Sequence, residues 1–432
     1  MLPTELNHKP DGRMFASTLH SGYRWRICAL LFCATLIAYV DRGVIGYLEK
    51  FLEREIGWNS VQYSYITAAF QAAYAIGLVT AGRLTDRLGT RRGFAFAMTL
   101  WSIAAMLPGG AFSVWTFAIA MFILGLGEAA NFPACIKTVA EWFPRKERAL
   151  ATGIFNSGSN IGNIVVPIVV PFLTLQLGWR GAFVGTGALG FVWLVFWLRM
   201  YARPQEHAKV SPAELAYIHS DPVERSGSVP LMRILPRRET WAFALGKFFT
   251  DPIWWFYLFW LPRYLQGTFR LDLTASRTPV VVVYAISCVG SIAGGWLPAF
   301  FLKRGLSVNA ARKLALLCCA LPVVPIIYAP FARGLWTVVV LIGIAAAAHQ
   351  GWSANLFTIT SDTFPKSAVA TVTGFGGMVG ALGGVILQLL TGRIVAATNS
   401  YVPLFVIACS AYLVALLIIQ VLSPKLAPAQ LE

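Results

Sequence analysis

Apolar residues fill this chain in long unbroken blocks, and the polar residues gather between them. Windows such as Thr99–Leu124, 165–175 running on into 181–198, and Leu404–Leu422 carry no charged residue. At 1.5 Å of rise per residue, about 20 such residues cross the roughly 30 Å hydrocarbon layer of a bilayer. A transmembrane β-barrel would instead alternate apolar and polar positions in ten-residue segments, and that alternation is absent. The pattern predicts helices over 25–47, 62–82, 93–112, 114–141, 148–174, 180–201, 241–266, 278–302, 313–331, 334–362, 367–392 and 402–422.

The longest polar interruption, 202–240, carries Pro204, Pro212, Pro222, Pro230 and Pro236 among charged residues and reads as a linker with little fixed structure. It separates a six-helix bundle over 25–201 from another over 241–423, with short terminal segments at 1–24 and 424–432. The halves echo each other. A shift of 221 residues lays Glu141-Trp142-Phe143-Pro144-Arg145 on Asp362-Thr363-Phe364-Pro365-Lys366, and matches Gly153 with Gly374 and Gly162 with Gly383. The expected fold is an all-α membrane protein of twelve transmembrane helices in two pseudo-symmetric six-helix bundles, with a substrate site between the halves near mid-membrane.

Composition agrees: 57% of the 432 residues are hydrophobic and only 12% charged, about half the charge of a soluble domain. The net charge of +16 would suit a nucleic-acid binder if it were clustered. It is instead sorted by side. The termini and alternate connections hold roughly three times as many lysines and arginines as the other connections, which puts both termini and the linker in the cytoplasm. A membrane is therefore the expected location, with the bilayer as partner and no nucleic acid. The seven cysteines all fall within predicted helices without metal-ligand spacing, so no metal, disulfide or cofactor is expected. No loop is large enough for a catalytic or sensory domain, which disfavours an enzyme or a receptor. The polar first 24 residues show no cleavable signal pattern, so helix 1 is expected to serve as an uncleaved anchor.

The connection after helix 2 reads Gly82-Arg83-Leu84-Thr85-Asp86-Arg87-Leu88-Gly89-Thr90-Arg91-Arg92. It resembles the G-x-x-x-D-R-x-G-R-R signature of the major facilitator superfamily, one position off at Thr90. Gly82 permits close helix approach and Gly89 a tight turn, while Asp86 can cap a helix or pair with an arginine. Gly82, Asp86, Arg87, Gly89, Arg91 and Arg92 are the expected gating residues. The corresponding loop of the second half, Gly295-Trp296-Leu297-Pro298-Ala299, lacks the acid, so any latch should be stronger in the first half.

Ionisable groups at membrane depth are costly and mark pathways. Helix 1 carries Asp41 and Arg42, helix 4 Glu128, helix 7 Lys247 and Asp251, and helix 10 His349, the counterpart of Glu128 under the 221-residue shift. A cation suits an anionic substrate, and a carboxylate in low dielectric suits a transported proton. Lys137 lies nine residues after Glu128, half a turn out of phase unless Pro133 bends the helix; it either contacts substrate or snorkels to the interface. Lys247, Asp251 and Trp254 share a face, and Lys247 with Asp251 can also be a self-neutralising pair. Trp254, Trp255 and Tyr257 offer aromatic surface with polar tips. Gln71, Tyr74, Asn156, Ser157, Asn160, Gln350, Trp352, Ser353 and Asn355 are further donors, although polar residues also glue helices together.

The chain resembles the anion:cation symporter family of that superfamily, and within it the bacterial hexuronate transporters. The resemblance is carried by Tyr39-Val40-Asp41-Arg42, by Gly125-Leu126-Gly127-Glu128-Ala129-Ala130-Asn131-Phe132-Pro133, by the 153–162 segment, by Asp251-Pro252-Ile253-Trp254-Trp255-Phe256-Tyr257 and by Ser353-Ala354-Asn355-Leu356-Phe357-Thr358. It implies proton symport of a small organic anion, a sugar acid such as glucuronate or galacturonate, across a bacterial inner membrane; a monomer is expected. Asp41 and Glu128 would couple protons, Arg42 would hold the carboxylate, and Tyr39 and Tyr74 would touch substrate. The other expected contacts are Lys137, Asn160, Lys247, Trp254, Tyr257, His349, Gln350, Trp352 and Asn355. Relatives that take up galactonate place an arginine two turns before the helix 4 glutamate, where this chain has Met121; Lys137 or Lys247 would supply the second cation. Aldonates, aromatic acids and dicarboxylic acids stay open as substrates. Efflux is the weaker alternative, because 158–162 lacks the proline of the drug-exporter pattern in helix 5.

Overall fold

The computed structural model describes residues 22–221, 229–426 and 429, and of 81–86, 145, 149, 366, 367 and 370 the backbone alone. Among the described residues, nine helices are long and apolar enough to cross a membrane. One of them contains a turn at Gly178, and the helices over 60–88 and Arg238–Thr268 complete twelve crossings. They are α1 (Tyr23–Ile56), α2 (60–88), α3 (90–106), α4 (Val114–Trp142), α5 (145–177), α6 (179–200), α7 (Arg238–Thr268), α8 (Arg277–Lys303), α9 (Val308–Phe331), α10 (Leu335–Thr363), α11 (Lys366–Thr398) and α12 (Val402–Leu422). Large apolar side chains such as Ile76, Phe172, Ile292, Leu417 and Val421 are exposed on the flanks, the inverse of a water-soluble surface.

Two connections shrink to one residue. Gly89 (φ 74°) turns α2 into α3 and Gly178 (φ 72°) turns α5 into α6, both in the left-handed region that a side chain disfavours. The α4 helix breaks at Ala129–Ala130, immediately after Glu128. Pro133 explains the break, because it has no N–H to return to Ala129 and its ring crowds that carbonyl. The signature glycines act by close approach. A Cβ at Gly125 would strike the Phe70 carbonyl of α2, and one at Gly158 would sit 2.5 Å from the Phe32 carbonyl of α1. Gly162 faces Leu36 and Tyr39, so α5 seats the substrate-facing stretch of α1.

Across the halves, α1 packs on α7, α2 on α11 and α5 on α8. The linker departs from the expectation of little fixed structure. Ser211 caps a short helix over Pro212–Ile218, whose Glu214 accepts hydrogen bonds from the Tyr23 and Arg24 amides and from the Arg24 guanidinium at 3.2–3.3 Å. Pro212 suits a first helical position, and the open amides at the start of α1 attract a carboxylate. Composition alone hides such docking. The face of the bundle carrying this helix is called the linker face below, and the opposite one the distal face.

Candidate functional site

Midway along α1, Arg42 is 2% exposed and Glu128 of α4 is fully buried. Their side chains meet twice, with Nη2 at 2.6 Å and Nε at 2.8 Å from Glu128 Oε2. The break after Glu128 and the close approach at Gly125 deliver the carboxylate to this depth. Four aromatic rings surround the guanidinium: Tyr39 at 4.3 Å, Trp255 at 5.3 Å, Tyr74 at 5.4 Å and Phe70 at 5.5 Å from ring centroid to Cζ. Rings of this kind hold a cation by their quadrupoles and strip water from it. Trp255 comes from α7, so the cage is shared between the halves. Asp41 is 2% exposed, and among the described residues neither carboxylate oxygen has a partner at close hydrogen-bond geometry, Thr186 being the polar side chain nearest it. About 100° of helical rotation separates it from its neighbour Arg42.

The C-terminal half supplies a second polar wall. Lys247 Nζ and Asp251 Oδ2 pair at 2.7 Å along α7, and the ammonium lies 4.7 Å from the Phe357 ring. Trp254 stacks on His349 at 5.1 Å and 9°, and His349 Nδ1 is 2.7 Å from the Tyr412 hydroxyl. Gln350 donates to Asn160 across the halves at 2.9 Å. Tyr257 is buried with its hydroxyl unpartnered, and the same holds for Trp352 Nε1. Asn355 ties α10 to α8 by donating to the carbonyls of Gly294 and Gly351 at 2.7 and 2.8 Å. Met121 is buried, and Lys137 is half-buried on α4 past the break.

Of the gating set, the side chains of Gly82 and Asp86 lie outside the described residues. Arg87, Arg91 and Arg92 are exposed at the linker face, where Arg91 donates to the Leu198 carbonyl. Thr90, the departure from the signature, donates to Glu141 at 2.6 Å, and Tyr201 donates to the same carboxylate. Burial and that neighbouring carboxylate push the Tyr201 phenol above its ordinary pKa. Among the described residues no group of three or more His, Cys, Asp or Glu side chains gathers as a metal site.

Phe70 is not among the contacts expected from the sequence, although it lies four residues before Tyr74 on the same face of α2. Trp255 is part of the aromatic surface expected on helix 7, but its place over Arg42 depends on how the halves meet.

A family model described as Major Facilitator Superfamily matches residues 31–388. The hexuronate transporter of Escherichia coli (strain K12) is 33% identical over 415 residues, 94% of this chain and 95% of the relative. The galacturonate transporter of Dickeya chrysanthemi is 33% identical over 322 residues, 73% of this chain and 92% of the relative. In fold, the chain matches the crystal structure of a D-xylose-proton symporter with a TM-score of 0.72 at 15% identity, over 94% of this chain and 98% of the other. It also matches an inward-facing, occupied bacterial homologue of the human lysosomal transporter Spinster, with a TM-score of 0.69 at 17% identity over 93% and 96% of the two chains. This multi-pass membrane protein belongs to the major facilitator superfamily of transporters.

Proposed function

We propose that the protein imports a sugar acid, a hexuronate such as galacturonate or glucuronate, together with protons by alternating access. The observation that carries this reading is the Arg42–Glu128 pair, buried at mid-membrane in an aromatic cage built from both halves. A guanidinium matches a carboxylate in charge and fork geometry. Glu128 occupies that fork in the structure. A proton on Glu128 releases Arg42 to the substrate carboxylate, so proton and anion arrive together. Asp41 is the second proton carrier: it is buried beside the pair with no close hydrogen bond to either oxygen, Thr186 and Arg42 are the groups nearest its charge, and a bound proton removes the cost of burying that charge. Lys247 supplies the cation missing at Met121. The stacked Trp254 and His349, with Tyr39 and Tyr74, offer faces and polar tips to the sugar ring. Sugar-acid transport by the two curated relatives supports the substrate class.

Substrate import also fixes orientation. The linker face is cytoplasmic on the charge count, and the distal face is periplasmic. The working unit is the monomer, since the whole site lies within one chain.

Thermal stabilisation across a panel of hexuronates, aldonates, aldarates and aromatic acids tests the substrate, because a ligand that binds the folded form raises its melting temperature. Galacturonate and glucuronate are expected to stabilise the parent protein and to leave Arg42→Ala unmoved. Equal stabilisation of Arg42→Ala would remove the site assignment.

A further inference from the structure

Another buried arginine, besides Arg24 at the linker face, lies outside this site. Arg263, near the distal end of α7, is 6% exposed. Its Nη1 pairs with Glu49, and its Nη2 donates to Glu53 at 2.9 Å and to Ser60 at 2.8 Å. Lys50 holds the other oxygen of Glu53 at 2.6 Å. Glu49, Lys50 and Glu53 belong to α1 and Ser60 begins α2, so both carboxylates come from the N-terminal half, while Tyr401 of the C-terminal half also reaches the guanidinium. Among the described residues no carboxylate of the C-terminal half pairs with Arg263; Trp260 is the ring beneath it, at 5.9 Å.

The seam around this cluster is tight. A Cβ at Gly46 would lie 2.8 Å from the Leu258 carbonyl of α7. Tyr63 donates to the Phe259 carbonyl at 2.8 Å, and Gln388 of α11 accepts from Thr67 at 3.0 Å and from Trp260 at 2.6 Å. Ser64 is fully buried against Gly392. The distal side is closed, and α1 and α2 must leave α7 and α11 for it to open.

Opening strips Arg263 of Glu49, Glu53 and Ser60 together. It leaves the guanidinium without a carboxylate on the wall of the outer vestibule, with Tyr401 beside it, and a guanidinium in that state takes a carboxylate. We propose that Arg263 is an outer capture site for the carboxylate of the incoming anion, and that Glu49 and Glu53 reclaim its guanidinium when the distal side closes. This rests on the alternating-access reading above. Glu49 follows Arg42 by seven residues on α1, nearly the same face about 10 Å further out. An anion displaced from Arg263 by Glu49 is thus released two turns from the inner arginine.

The test uses full-length protein in right-side-out membrane vesicles. Ser64→Cys reports seam opening through reaction with a membrane-impermeant maleimide added outside, and the chain without that change gives the background of the native cysteines. Arg263→Gln and the double variant Glu49→Gln/Glu53→Gln are each expected to speed labelling about tenfold. They then differ on galacturonate. The external KM rises about tenfold in Arg263→Gln and stays at or below the parental value in the double variant, whose arginine is free. Equal KM values in the two variants overturn the capture role, and parental labelling rates in both overturn the latch. Should these variants not reach the membrane, Gly46→Ala and Arg263→Lys give the same two readings. Faster labelling at parental KM in the first, with a raised KM in the second, supports the proposal; parental behaviour in both overturns it. A parent chain that takes up no galacturonate defeats the substrate reading alone, because labelling does not use the anion.

Discussion

Two of the buried arginines, Arg42 and Arg263, share a chemistry and differ in where their partners sit. Arg42 finds its carboxylate within its own half, in Glu128 of α4, while Arg263 finds both of its carboxylates in the opposite half. A rocking motion of the halves leaves the first pair intact and breaks the second. An ion pair inside a rigid body changes only when a proton or a ligand changes it, which suits coupling. An ion pair across the moving seam changes with every opening, which suits gating. The glycines divide in the same way. Gly158 seats α5 on α1 inside one half, whereas Gly46 seats α1 on α7 across the seam.

The contrast can be broken most sharply at Arg42. Removing it leaves Glu128 as a buried uncompensated charge and removes the substrate's main partner, so Arg42→Ala should weaken galacturonate binding by roughly 100-fold or more. Titration by calorimetry checks this, and near-parental affinity would place the anion elsewhere. Next is Glu128→Gln. It should sharply reduce accumulation driven by a proton gradient, leaving only what Asp41 couples, while exchange of labelled for unlabelled galacturonate stays within about threefold of the parent, because the proton-dependent release of Arg42 is lost. Loss of exchange as well would make Glu128 structural. Lys247→Gln should raise KM by about tenfold, the loss of one charge-assisted hydrogen bond, with little change in the proton dependence. The smallest effect belongs to packing. Gly158→Ala should lower stability by about 1–3 kcal/mol without altering outside labelling of Ser64→Cys, in contrast to Gly46→Ala. Melting curves of the two variants decide it.

Much of the architecture was legible in the sequence because the bilayer imposes long apolar blocks, and the 221-residue echo exposed the halves. The ends of elements were less legible. Helix α1 runs on to Ile56 rather than stopping near 47, because Lys50, Glu53 and Arg54 look like loop residues until Arg263 neutralises the acids. The break in α4 falls three residues before its cause, at Ala129–Ala130, since proline disrupts the turn preceding it. The composition of the site was readable from charges at membrane depth, and the structure does bring Tyr39, Arg42, Tyr74 and Glu128 together. Pairings across the seam, such as Trp255 over Arg42, Asn160 with Gln350 and Arg263 with Glu49, depend on how the halves dock. No local spacing encodes that.

The most direct measurement of the central claim is uptake of labelled galacturonate by purified protein in liposomes under an imposed inward proton gradient. The account predicts accumulation above the external concentration, collapsed by a protonophore and absent in Arg42→Ala. Equal uptake with and without the gradient would contradict it.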